Sequence, residues 1–567
     1  MVRKREGALQ CGDADVLIQS RYGAKQERKK AMSFLSQAGA LLALLLLAPP
    51  VQVRGAESAT HAQDAVTGAA QTATITVQAD RPGALVSPLI YGQFIEHLGR
   101  CITGGIYEPG SALSDTNGFR RDVLEKVREL NPPLLRWPGG TFTKIYHWQD
   151  GVGPASERRC RPNLIWGGQE DNLFGTHEFI RYCHVINAEP YISVNMGTGS
   201  AEEAANWVEY CNGTGTTIYA ELRRKNGSPE PFHVKYWGLG NEEEAEPDCG
   251  RLQDPAQYAK EAWQFAKLMK LQDPTIKLIV AGVGNSTNWN TTVLQSLHPV
   301  ADFLSVHWYF RTTDYSRLLF QVASFDQQLE AYTTFLAGFP AEPKGFSHWY
   351  RFPPRAGAVK LAIDEWGLWN GGTGGREVLW NLEQTYTWQD ALAVASWLNA
   401  MYRHADIIGF ATWAQLANVI APIQSDRNGS VRQTVFHPLA LYAKQCGNQV
   451  VPVRCDSPPL DSATKDPLPS LDVAATRHEQ NNRMTLAVVN RHPTLAIKAH
   501  LEFVGGSYTL TDGYELNAPS MRASNTVARP DEECVQTRRL KAEGLLSSRD
   551  FPPHSITVLI FEGAQTK

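Results

Sequence analysis

The run HVKYWGLGNE, residues 233–242, carries an apolar stretch through two glycines and ends on an amide and a carboxylate. Alternate side chains of a strand share a face, so Val234, Tyr236, Gly238, Gly240 and Glu242 fall together, with Glu242 extending an apolar face at the strand's end. Seven further runs have the same form: LIYGQFIE (89–96), PLLRWPGG (133–140), EPYISVNMG (189–197), KLIVAGVG (277–284), DFLSVHWY (302–309), VKLAIDEW (359–366) and IIGFATWAQ (407–415). Between most of them lie segments such as AEEAANWVEYC and PAQYAKEAWQFAKLMKLQ, whose apolar residues recur at helical spacing. Eight strands alternating with helices is the count of a (β/α)8 barrel, although a doubly wound sheet also alternates. The run ends favour the barrel, because they finish in Glu96, Gly139 and Gly140, Asn195, Asn241 and Glu242, His307 and Tyr309, Asp364 and Glu365, and Gln415. In a barrel these C-terminal ends converge on one mouth, where active sites sit. The expected class is therefore α/β, a TIM barrel over 89–429.

From about residue 430 the pattern changes. RMTLAVVNR, AHLEFVG and HSITVLIFEG are short β-type runs among Pro, Ser, Asn and Asp, which predicts a C-terminal antiparallel β-sandwich over 430–567. TATITVQAD predicts a strand within 72–88 that packs with this sandwich. At the other end, Arg28, Lys29 and Lys30 precede an apolar run from Ala38 to Ala48. That run is too short for a bilayer span of about 20 residues and matches the core of a secretory signal. A leader over 1–56, a flexible Ala/Thr/Gln-rich lead-in over 57–71, and export to a periplasm or the medium are the expectations, with no span in the mature chain. Loss of Cys11 with the leader leaves eight cysteines, from Cys101 to Cys534, without a CxxC pair. An even count in an exported chain permits disulfides, and buried free thiols fit equally.

Net charge is −4 and no basic run lies outside the first thirty residues, which excludes the electrostatic footprint of a nucleic-acid binder and favours a neutral partner. In VKLAIDEW, alternation groups Val359, Leu361, Ile363 and Glu365 and leaves Asp364 on the other face, so two glutamates end two core-facing runs. Paired carboxylates at a barrel mouth are what glycoside cleavage needs, one held protonated as acid and one ionised. A raised pKa for Glu242 is expected if it sits partly buried near another acid. Spacing alone leaves open that both glutamates merely cap strands or pair with Arg136. His307 could suggest a metal ligand beside them, but no HxH or HExxH spacing surrounds it, and a hydrogen-bonding role is expected instead.

IYGQFIEHLGRCITGGIYEPGS, LLRWPGG followed by YHWQDGVGP, KYWGLGNE, AIDEWGLW, ADIIGFATWAQLANVIAPI and FPPHSITVL resemble, in order and over residues 89–559, the alpha-L-arabinofuranosidases of glycoside hydrolase family 51. The resemblance implies a barrel with a β-sandwich and a retaining double displacement that uses no metal or organic cofactor. It makes Glu242 the acid/base and Glu365 the nucleophile. Asn241 would bind the hydroxyl beside the reacting carbon, Glu96 and Gln415 would contact the arabinose, Tyr309 would reach the nucleophile and the ring, and Arg136 would keep the nucleophile ionised. Trp166 and Trp369 resemble aromatics lining the pocket and the leaving-group side, although core packing would also account for them. Thr141 departs from the family's usual Asn, exchanging an amide for a hydroxyl. The implied activity is exo-acting release of arabinose from side chains of plant arabinan or arabinoxylan. An endo-β-glucanase or β-xylosidase-like member of the family, or a non-catalytic carbohydrate-binding protein, is the alternative. Family relatives are often hexameric. The long segment 320–358 would either overhang the mouth or pack on the barrel.

Overall fold

The computed structural model describes residues 72–245, 250–284, 286–341, 351–370, 382–460, 467–478, 480 and 483–563. The leader, the lead-in, Glu246 and Cys249 lie outside the described residues. Strand β1 (Thr72–Gln78) is followed by eight strands of a closed barrel: β2 (Gly92–Phe94), β3 (Leu134–Trp137), β4 (Glu189–Val194), β5 (Tyr236–Leu239), β6 (Lys277–Ala281), β7 (Ala301–Phe310), β8 (Lys360–Leu368) and β9 (Ile408–Ala414). Each pairs in parallel with the next, and β9 closes on β2. Six lie inside the runs read from the sequence, and β7 and β8 match theirs but extend one or two residues beyond them. The helix patterns also form helices, and PAQYAKEAWQFAKLMKLQ illustrates why. Asp254 accepts from the amides of Ala256 and Gln257, Pro255 occupies the first turn, and Tyr258, Ala262, Phe265 and Met269 form the buried stripe.

The barrel is filled by one layer of side chains, Leu134, Tyr191, Tyr236, Ile279, Ala362 and Phe410, each from a different strand. Leu361, Ile363, Trp237 and Leu239 instead join the large cluster between the strands and the surrounding helices. The second domain is a sandwich. One sheet pairs Gln449–Val451, Leu471–Arg477, Arg483–Asn490, Ser555–Gly563, Tyr508–Asn517 and Gln536–Leu540, with Gly544–Leu545 at its edge. The other pairs Val453–Asp456, β1, Ile497–Val504 and Ser548–Phe551, and Ile75, Val77, Leu486, Val488, Leu559 and Phe561 fill the space between them. Helix Trp388–Arg403, buried at every residue but the last, packs on barrel helix Tyr315–Leu336 and on strands of the larger sheet.

The described residues bear on two expectations, with residues 342–350 of the long segment lying outside them. Residues 320–336 of the long segment belong to a single helix, Tyr315–Leu336, and 351–358 lead into the start of β8. Arg355 donates to the carbonyl of His298, and its amide to that of Pro299, just before β7 begins. Residues 351–358 therefore lie at the end of the barrel away from the catalytic mouth, whereas the helix packs along the barrel and its Tyr332 Oη donates to the carbonyls of Val283 and Gly284 beyond the end of β6. Cys101, Cys160, Cys183, Cys211, Cys446, Cys455 and Cys534 are all free thiols. Among the described residues no helix is long and apolar enough to cross a membrane.

Candidate active site

At the C-terminal ends of the strands, polar side chains replace the apolar layer. Arg136 on β3 is 1 % exposed and organises them. Its Nη1 donates to Glu365 Oε1 at 2.7 Å and to the Asp364 carbonyl at 2.9 Å, and its Nη2 donates to Asn241 Oδ1 at 2.6 Å. Tyr309 Oη donates to the other Glu365 oxygen at 2.6 Å. Both oxygens of Glu365 thereby accept a hydrogen bond, one of them from the guanidinium. Gly140 lies so near that a Cβ there would meet Glu365 Oε1 at 2.7 Å, which accounts for a glycine in the PGG turn.

Glu242 reaches the mouth by a different route from the one alternation predicts. The strand ends at Leu239, Gly240 turns with φ of +80°, and Glu242 itself has φ of +44°. A non-glycine residue in that region costs about 1–3 kcal/mol and is characteristic of functional sites. Lys144 Nζ, from the 3-10 turn Thr141–Ile145, donates to the Glu242 carbonyl at 2.9 Å. The Glu242 carboxylate lies 2.7 Å from His307 Nδ1. Ligand atoms of Glu242, His307 and Glu365 all lie within 4.8 Å of one another. A cation placed among them would compete with Arg136 and Tyr309 for the Glu365 oxygens, both of which already accept a hydrogen bond.

Two sequence expectations need correction. Asp364 does not face away from the site: it is 1 % exposed and accepts from Tyr191 Oη at 2.7 Å and Ser305 Oγ at 2.6 Å. Asp364 alternates with Ala362, which lies in the barrel interior, and a register shift of β8 against β7 between Ala362 and Glu365 turns Glu365 to the same side. Nor is the pKa of Glu242 raised. Burial pushes it up, but the hydrogen bond and charge of His307 outweigh burial and hold it low. Beside them Glu243 turns inward and is fully buried, with Oε1 3.4 Å from the Asn241 amide.

The remaining predicted residues form the floor and walls. Glu96 accepts from the amide of Phe142 at 2.9 Å, Trp166 Nε1 at 3.2 Å and Gln415 Nε2 at 3.0 Å. Burial, aided by the charge of Glu365, raises its pKa to about 7 despite those donors. Asn241 Nδ2 and Gln415 Oε1 are buried without a protein partner. Trp369 meets the Tyr309 ring edge-on at 5.8 Å, and the Arg311 guanidinium lies 5.1 Å above the Trp369 ring. Thr141 is buried beside Gly140. Asn195 does not join the site, since its amide ties Tyr146, Gly197 and Thr198 together in a turn. Sequence reasoning missed Lys144, Tyr191 and Ser305, whose residue types carry no signal apart from the contacts.

A closed barrel whose mouth holds two neighbouring glutamates, one clasped by arginine and tyrosine and the other by histidine, defines a barrel glycoside hydrolase. Residues 126–328 match the alpha-L-arabinofuranosidase 1 domain, and residues 364–555 match the alpha-L-arabinofuranosidase C-terminal domain. Alpha-L-arabinofuranosidase C of Emericella nidulans is 37% identical over 510 residues, spanning 86% of this chain and 96% of that protein. An intracellular exo-alpha-(1->5)-L-arabinofuranosidase of Halalkalibacterium halodurans is 35% identical over 473 residues, spanning 80% and 92%. The arabinose complex of alpha-L-arabinofuranosidase from Thermotoga maritima superposes with a TM-score of 0.75 at 36% identity, covering 87% of this chain and all of that one. The chain belongs to the alpha-L-arabinofuranosidases of glycoside hydrolase family 51.

Proposed function

We propose that the protein removes terminal, non-reducing alpha-L-arabinofuranosyl groups from side chains of plant arabinan or arabinoxylan by double displacement. The observation that carries this reading is the approach of Glu242 and Glu365 at one mouth, with oxygens within 4.8 Å. Retaining enzymes hold their carboxyls about 5–5.5 Å apart, and inverting enzymes need about 6.5–9.5 Å to admit a water. Glu365 attacks the anomeric carbon while Glu242 protonates the leaving oxygen; Glu242 then activates the water that releases the sugar. Arg136 and Tyr309 keep Glu365 ionised and aimed. Asn241 Nδ2 and Gln415 Oε1 have hydrogen-bonding capacity left for sugar hydroxyls, Glu96 lies beside Gln415, and Trp166 walls that end. Trp369, with Arg311 over it, faces the leaving group.

The test is hydrolysis of 4-nitrophenyl alpha-L-arabinofuranoside beside the corresponding beta-D-xyloside and a soluble beta-glucan. Arabinoside cleavage that disappears in Glu365→Ala is the expected result. Turnover of the xyloside or glucan in its place would assign a different specificity, and turnover of none would leave a binding protein. We also propose export, on the strength of the Arg28–Lys30 and Ala38–Ala48 pattern. Fractionation of the producing cells should then recover a shortened chain outside the cytoplasm, and a full-length cytoplasmic chain would refute it.

A further inference from the structure

Glu242 must deliver a proton, yet its Oε1 lies 2.7 Å from His307 Nδ1. The opposite edge of that ring is also held, with Nε2 3.3 Å from Asp364 Oδ1 and 3.3 Å from Ser305 Oγ. Asp364 is a fixed anion, since Tyr191 and Ser305 donate to its two oxygens and Arg136 Nε lies 3.9 Å from Oδ2. An Nε2–H therefore faces Asp364 whether the ring is charged or neutral. Nδ1 is left as the atom that gains or loses a proton opposite Glu242. A buried carboxylate orients the histidine of hydrolytic triads in the same way, here with a carboxyl group where those have a hydroxyl.

We propose that Asp364, His307 and Glu242 form a proton relay, in which the acid proton rests on His307 Nδ1 in the free enzyme and reaches the leaving oxygen through Glu242. The inference rests on the reading of Glu242 as acid/base, and it makes His307 a positioning residue that acts through Glu242.

The charges around the ring supply the timing. From β8 it is faced by Asp364 and by Glu365, whose Oε1 is 3.7 Å from Nδ1; from the turn after β5 by Glu242 and, farther out, Glu244. The cations on this side are Arg136 of β3 and Lys144. Burial opposes a charge on His307, but Glu365, Asp364 and Glu242 outweigh it and keep the ring protonated well above the usual histidine range. In the first half-reaction the bond from the anomeric carbon to the leaving oxygen breaks and the bond to Glu365 forms. Glu365 loses its charge as it becomes an ester, so one of the anions holding the proton on Nδ1 vanishes. The proton moves to Glu242 and on to the leaving oxygen. In the second half, Glu242 takes a proton from water as the water oxygen attacks. The ester bond breaks, Glu365 regains its charge, and the proton returns to Nδ1.

A proton shared between two sites is lost at a higher pH than one held by either alone. The test is the pH profile of kcat/KM for wild type, His307→Gln and Asp364→Asn, on phenyl and 2,4-dinitrophenyl alpha-L-arabinofuranosides. The relay requires the alkaline limb on the phenyl substrate to move down by about one pH unit or more in His307→Gln. It requires movement in the same direction in Asp364→Asn. The dinitrophenyl substrate, whose leaving group needs no proton, should lose less kcat/KM than the phenyl substrate in both variants, and a circular-dichroism spectrum like that of wild type reports a folded chain. An unmoved limb in His307→Gln, with equal losses on both substrates, would mean that His307 only packs the site and would overturn the relay. If His307→Gln yields no folded protein, the limb of Asp364→Asn decides alone. Wild-type failure on both arabinosides would refute the proposed activity, an outcome distinct from an unmoved limb.

Discussion

Glu96 and Glu365 show how one mouth gives two carboxyl groups different surroundings. Glu365 has a guanidinium at 2.7 Å, whereas Glu96 accepts only from neutral N–H groups; burial and the charge of Glu365 outweigh those donors and the weaker pull of Arg136, and its pKa rises to about 7. A carboxyl kept neutral in the folded state binds a proton that the unfolded chain releases at about 4.5. Its effect on stability is therefore unfavourable as pH rises from about 4.5 through about 7, approaching about 3 kcal/mol above that range. Glu96→Gln carries a constant cost, because one of its donors must face another donor, but it removes this pH dependence. Denaturant unfolding at pH 5 and pH 8 should show the variant gaining about 3 kcal/mol relative to wild type at the higher pH. An equal difference at both pH values would mean that Glu96 is ionised in the native state.

Strand geometry determines which residues meet. In β8, Ala362 joins the barrel interior while Leu361 and Ile363 face the helices; the shift before Glu365 then turns a second carboxyl inward beside His307, its partner on β7. Strict alternation would put Asp364 and Glu365 on opposite faces, and for this reason the reading of β8 from sequence misplaced Asp364. The layer beneath the site leaves little room. A Cβ on Gly238 of β5 would lie 2.8 Å from Tyr191 Oη and 3.0 Å from Ser193 Oγ, both on β4. Tyr191 is a rigid ring bonded to Asp364, so Gly238→Ala must displace it. Overpacking of this kind costs about 1–3 kcal/mol. We expect a melting temperature lower by a few degrees and a kcat reduced roughly 10- to 100-fold through misplacement of Asp364 and Glu365. A drop in melting temperature without a change in kcat would show that Tyr191 does not position the acids.

On the scale of the molecule, the sandwich completes the barrel. Trp388 Nε1 donates to the His554 carbonyl at 2.6 Å, Asn399 donates to Asp472, Arg403 pairs with Asp472 at 3.1 Å, and Tyr315 Oη donates to the Arg491 carbonyl. Helix Trp388–Arg403 thus has one side against barrel helices and the other against a sheet, and it reads as apolar nearly all round. Uncovering several of its large side chains at about 1.5–3 kcal/mol each would use up a net stability of about 5–15 kcal/mol. A chain ending at Asn448 should therefore accumulate insoluble or melt without cooperativity, while the mature chain unfolds in a single calorimetric transition. A soluble truncated barrel that still cleaves the arabinoside would contradict this.

The sequence by itself determined the barrel, the sandwich, and Glu242 and Glu365 as the carboxylates to watch, because strand periodicity and polar strand ends are local and survive in one dimension. Arg136, Tyr309, Glu96, Asn241 and Gln415 were legible through the order of motifs. Only the tertiary structure decided that Asp364 joins the site, that His307 lowers the pKa of Glu242, and that Lys144, Tyr191 and Ser305 support them. Those facts depend on a bulge, a left-handed turn and charges brought within 4 Å from strands far apart in the chain. Electrostatic coupling follows distance in space, which residue spacing does not encode.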